Sequence, residues 1–140
     1  MHNHLNGQLA EMIFMTQAIE RGYQVYTPMS HHSKIDVVIC KPGKPLIGVQ
    51  VKKASRQKKE NGEYGESWKV LVGSARSGRA GQGRRPRLKR YTAGMFDILC
   101  VYVTEPHNCF AFYKLDDVAG VASMRWSKKK GIEDNWQIFD

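Results

Sequence analysis

The sequence predicts an α/β fold, a mixed central β-sheet with flanking helices, and three stretches carry that prediction. Residues 7–21 bring apolar side chains round at helical spacing. Residues 35–40 and 46–52 are two β-branched runs separated by a turn containing Pro42-Gly43. Residues 98–103 form an unbroken apolar run of the length and composition of a buried central strand. At 140 residues and 16.0 kDa the chain is expected to be one domain, 1–140, built on one core.

In chain order, the helix is expected to bury Leu9, Met12, Ile13, Thr16 and Ile19, with Met15 and Ala18 widening the stripe. Asn3 or Asn6 is available as its cap, and Gly22 ends it. Residues 23–27 alternate as a first strand that Pro28 terminates, and a polar loop with His31 and His32 leads into the 35–40 run. Adjacent histidines on one loop suit phosphate contact or plain solvent exposure better than tetrahedral metal ligation. After Lys53 the chain is polar and glycine-punctuated, read as a strand extension and an exposed loop. Residues 68–72 give the next strand, 109–113 pair with 98–103 across the 105–108 turn, and 115–122 form a short helix or turn. Trp136, Ile138 and Phe139 form an apolar tail that needs cover, from this chain or from another copy.

Composition narrows the function. The net charge of +9 points to a polyanionic partner, either a nucleic acid or an anionic surface. No Asp or Glu occurs between Glu66 and Asp97, while Arg76, Arg79, Arg84, Arg85, Arg87, Lys89 and Arg90 crowd into one glycine-rich stretch. With no apolar period of its own, the segment 73–90 reads as an arm that meets nucleic-acid phosphates or grooves, or as solvated charge. No apolar run is long enough for a membrane span, and the N-terminus lacks the layout of a secretory signal. Cys40, Cys100 and Cys109 are odd in number and without a paired spacing, so reduced core thiols and a cytoplasmic location are expected. There is no P-loop, dinucleotide fingerprint, zinc spacing or Ser/His/Asp arrangement.

The chemistry concentrates on the hairpin. Folded antiparallel about Gly43, it sets Asp36 opposite Gln50, and strand alternation puts Gln50 and Lys52 on one face with Val49 and Val51 on the other. A carboxylate, a carboxamide and an ammonium then share a face, which reads either as a functional constellation or as a solvated strand surface. Glu11, at the border of the helix stripe, reads either as a surface acid favoured by the helix dipole or as a carboxylate presented to a site.

The string Asp36…Gln50-Val51-Lys52 resembles the motif of the PD-(D/E)XK, or restriction-endonuclease-like, nuclease superfamily. Ile35 stands where that motif names Pro, and Gln50 stands where an acid is usual. Gln at that position is similar to the group I intron-associated homing endonucleases, and the small basic chain with an early helix Glu is similar to archaeal-type Holliday-junction resolvases as well. The resemblance covers residues 7–113 and implies a Mg²⁺- (or Mn²⁺-) dependent DNA endonuclease acting on double-stranded or branched DNA as a homodimer or higher homo-oligomer. It implies Asp36 as the primary carboxylate, with the Val51 carbonyl and the Gln50 amide oxygen as neutral ligands. Glu11 would add a second negative charge, and Lys52 would orient or deprotonate the attacking water. The alternatives are a Holliday-junction resolvase of similar fold and an inactive DNA-binding module in which Gln50 marks a lost site.

Overall fold

A computed structural model describes residues 3–30, 33–75, 88–129 and 131–140. The elements are α1 (Asn3–Glu20), β1 (Gln24–Tyr26), β2 (Val37–Cys40), β3 (Ile47–Lys58), β4 (Tyr64–Leu71), β5 (Ser74–Ala75) and β6 (Leu88–Lys89). They continue with β7 (Ile98–Val103), β8 (Cys109–Lys114), α2 (Leu115–Val118), β9 (Ser123–Trp126) and a 3₁₀ turn at Trp136–Phe139. The chain is α/β as expected, and among the described residues seven strands form a mixed sheet whose one parallel pair is β3–β7.

The long β3 organises the sheet. Its first half pairs antiparallel with β2 through Val37↔Val49, Val38↔Gly48 and Ile39↔Ile47, the register expected from the turn. Gly43 makes that turn with φ +76°, a conformation that side chains resist. From Val49↔Ile98 to Ala54↔Val103 the other edge of β3 runs parallel to β7, and β7 pairs in turn with β8. Asp97 fixes the start of that pair: its Oδ2 accepts the Gly48 N–H at 2.8 Å, and its own N–H donates to the Gly48 carbonyl at 2.9 Å. Beyond Ala54, β3 leaves β7 and pairs with β4, which pairs with β9. The polar stretch after Lys53 is therefore mostly strand, and β9 is an element that the sequence reading did not place.

Each face of the sheet carries its own core. On one, Val37, Ile39, Val49, Val51, Ile98 and Cys100 pack beneath α1 and the 3₁₀ turn. On the other, Leu99, Val101 and Val103 pack against Trp68, Val70, Val72, Tyr91 and Phe96. The tail is intramolecular: Trp136 and Phe139 are buried, and the Phe14 ring stacks on Trp136 at 5.6 Å. All three cysteines are buried and free.

The expected stripe on α1 requires correction. Ala10, Phe14 and Ala18 are its buried residues, while Leu9, Met12, Thr16 and Ile19 face outward. Two alanines a turn to either side of Phe14 let the helix come close to the sheet and drive that ring among Phe110, Phe112, Trp136 and Phe139. The helix also starts at Asn3, which places Asn6 inside it, and it ends at Gly22 with φ +91°. No helix among the described residues is long and apolar enough to cross a membrane.

Candidate active site

Asp36 enters just ahead of β2, at the point where the β2 edge of β3 becomes open. Its backbone N–H donates to the Val49 carbonyl at 2.9 Å, so its side chain is carried to the opposite strand. There Asp36 Oδ2 accepts two hydrogen bonds, from Gln50 Nε2 at 2.7 Å and from the Val51 backbone N–H at 2.8 Å. A carboxylate oxygen only accepts, so the Gln50 amide presents its nitrogen to Asp36. Two donors on Oδ2 aim the carboxylate, and among the described residues no hydrogen bond engages Oδ1. The N–H and C=O of one strand residue leave the same edge, so the Val51 carbonyl also points to the side of Asp36, beyond the first β2–β3 pair.

Gln50 and Lys52 register with Leu99 and Val101 and share their face, while Val49 and Val51 are buried beneath α1. The sequence-derived constellation is thus assembled, and its groups are half-buried. Burial pushes the Asp36 carboxyl above its ordinary value, against the Val51 N–H, Lys52 and Lys34, which favour the ionised form. Burial pushes the Lys52 ammonium below its usual value, Asp36 opposes that shift, and Lys34 reinforces it. Glu11, presented from α1, is likewise pushed up, first by burial and then by the Asp36 charge. Helix and hairpin therefore bring two carboxylates and a lysine into one electrostatic neighbourhood.

Two members of this neighbourhood escaped the sequence-based assignment. Lys34 lies on the polar loop before β2, which the sequence reading gave to phosphate contact or solvent; its charge acts on both Asp36 and Lys52. Tyr91 is buried edge-on to Phe96 at 4.8 Å, and burial together with the Asp36 charge holds its phenol proton. The closeness of Lys34 to Asp36 in sequence was a readable signal; nothing local announced Tyr91. Of the proposed arm, Arg76, Arg79, Arg84, Arg85 and Arg87 lie outside the described residues, as do His31 and His32. Its base is described: Ser74 pairs with Lys89 and Ala75 with Leu88, and exposed Arg90 leads directly to Tyr91. The described base of the segment is therefore continuous in the chain with Tyr91, on which the Asp36 charge acts.

The donor set suits a hard divalent ion. Among the described residues no three His, Cys, Asp or Glu side chains gather into a metal cluster. Two carboxylates, Glu11 being held up in part by the Asp36 charge, beside a backbone carbonyl nevertheless match an ion that keeps several waters. A concavity of about 580 Å³ lined by Tyr23, Lys41, Lys44 and Phe139 lies at the turn end of the hairpin and holds none of these groups.

Comparison with known proteins supports the fold and the family. A relative in Escherichia phage T7, Protein 5.3, is 37% identical over 131 residues, covering 93% of this chain and 96% of that protein. The structure of a bacterial homing endonuclease, I-Ssp6803I, superposes with a TM-score of 0.80 over 99% of this chain and 93% of its own. At 19% identity the likeness is one of fold. The model of the PD-(D/E)XK endonuclease family matches residues 1–133, which span the helix, the hairpin and the parallel strand that build the site, and the chain belongs to that family.

Proposed function

We propose that the chain is a divalent-metal-dependent DNA endonuclease of the homing-endonuclease type, acting as at least a homodimer. The observation that carries this reading is the Asp36 carboxylate, aimed by Gln50 and the Val51 N–H, with Lys52 on the same strand face. The homing-endonuclease fold over nearly the whole chain supports the choice of substrate class.

In this reading Asp36, the Val51 carbonyl and Glu11 would hold the ion. When bound, the ion supplies an acidified water and neutralises charge gathering on the phosphate. The Gln50 amide positions Asp36; lending its oxygen to the ion requires the amide to turn over. The lowered proton affinity of Lys52 brings it toward the range where a neutral amine takes a proton from water, while its charged form stabilises phosphoryl oxygens. The water oxygen bonds to phosphorus, one ester P–O bond breaks, and the departing alkoxide takes a proton from solvent. Net charge and the arm supply sequence-independent attraction to DNA. Among the described residues one chain carries one such site, so cutting both strands of a duplex calls for two copies.

The test offers linear duplex, a four-way junction and single-stranded DNA in parallel, with Mg²⁺ and with chelator. Duplex cleavage that stops on chelation is expected. Preference for the junction would replace the homing-type reading with the resolvase. Binding without cleavage under every condition would leave the inactive module.

A further inference from the structure

The helix α1 has two apolar faces, and among the described residues only one is covered. Ala10, Phe14 and Ala18 point into the core. On the opposite side Leu9, Met12 and Ile19 are 52%, 54% and 61% exposed, and Thr16 is exposed between them. At 3.6 residues per turn these four fall within an arc of about 80°, diametrically opposite Phe14. Their spacing of three, four and three residues is that of a helix–helix seam, in which side chains of one helix interlock with a like helix. Thr16 is no polar interruption: its Oγ1 donates to the Met12 carbonyl at 2.9 Å within the helix, which satisfies the hydroxyl.

We propose that this outward face of α1 is a contact between two copies of the chain, with Leu9, Met12, Thr16 and Ile19 packing against the same residues of the second copy. Charge selects that occupant. The chain carries +9 overall, so two copies repel over most of their surfaces, yet no Lys or Arg occurs before Arg21, and the charged side chains of α1 are Glu11 and Glu20. The same face is unsuited to DNA, because it offers phosphates no cation. The residues flanking the seam, Gln8, Ile13, Met15 and Glu20, place little like charge against like charge when the helix meets itself. A two-fold contact of this kind is closed and self-complementary. Glu11 sits on the same helix as the seam, so pairing of α1 fixes the helix that presents this carboxylate. The proposal deepens the two-copy part of the endonuclease reading and is independent of the chemistry at Asp36.

The experiment measures the mass of the full chain by sedimentation and light scattering, without DNA or metal, so its outcome does not depend on nuclease activity. A dimer, or an even multiple of it, is expected near 10 µM. Met12→Glu should weaken association at least about 100-fold while leaving helix content and thermal unfolding as in the wild type, because the side chain is exposed in the single copy. Mixing Met12→Glu with Met12→Lys should restore association. Ile19→Ser provides a milder variant should the charge disturb the helix, and it too should weaken association. A wild type that stays monomeric at 100 µM, or Met12→Glu and Ile19→Ser variants that associate like the wild type, would overturn the proposal. Neither result would bear on the chemistry at Asp36.

Discussion

Gln50→Glu sets a second carboxylate where the Gln50 amide now donates to Asp36 Oδ2 at 2.7 Å. Two costs follow in the absence of metal. A hydrogen bond to a charged acceptor is lost, worth about 1.5–3 kcal/mol. Two carboxylates about 4 Å apart also repel, by about 4 kcal/mol at the effective dielectric of a half-buried site. Proton uptake caps the second cost, because a protonated carboxyl donates to Asp36 and restores the contact. A net loss of about 3 kcal/mol at pH 8 is expected, which for a chain of this size lowers Tm by roughly 10 °C. The sign with pH follows from the shared proton. The proton affinity of the pair is raised in the folded state, so stability is present at low pH and lost as pH rises through that raised value. Melting at pH 5 should therefore approach the wild type. Mg²⁺ should stabilise the variant more than the wild type, and cleavage should need less of it. The measurement is thermal unfolding at pH 5 and 8, with and without Mg²⁺, beside a Mg²⁺ titration of cleavage. Equal melting at both pH values without metal would refute contact between residues 36 and 50.

Asp36→Asn and Lys52→Ala should each reduce cleavage by at least about 10²–10⁴-fold, with DNA affinity in chelator unchanged by anisotropy. Lys34→Ala removes a cation that favours ionised Asp36 and disfavours charged Lys52. Both limbs of the pH–rate profile should accordingly move to higher pH; a static profile would place Lys34 outside the site. Changing Arg84, Arg85 and Arg87 to Ala should flatten the dependence of log K on log salt by about 2–3 units, and an unchanged slope would make the arm solvated charge. Phe14→Ala, at the centre of the aromatic cluster, should cost about 3–5 kcal/mol in denaturant unfolding.

The hairpin was legible because a short turn and a period of two leave little freedom: once Gly43 is the turn, Asp36 has to meet Gln50. The run 98–103 was legible because a continuous apolar strand announces its own burial. The face of α1 misled because its most regular apolar period points away from the core, and periodicity cannot tell a core from a waiting surface. The inward face relies on small alanines beside one large ring, a pattern that hydropathy undercounts. β9 was missed because Ser123–Trp126 is four residues long and carries a polar Ser and Arg beside Met and Trp, too short and mixed a run to announce a strand. Tyr91 reaches the Asp36 neighbourhood only through packing of the second core, which no local pattern specifies.

The motif's spacer, Val51, is conventionally the position written as any residue, and the structure changes what that freedom means. Its N–H is one of the two donors that aim Asp36, and its side chain lies in the core beneath α1. Position 51 can therefore exchange one aliphatic group for another of similar size. Proline, which has no N–H to give, would release the carboxylate while leaving every named motif residue in place. The candidate site is therefore held partly by peptide groups, and a comparison of side chains alone would score such a chain as intact.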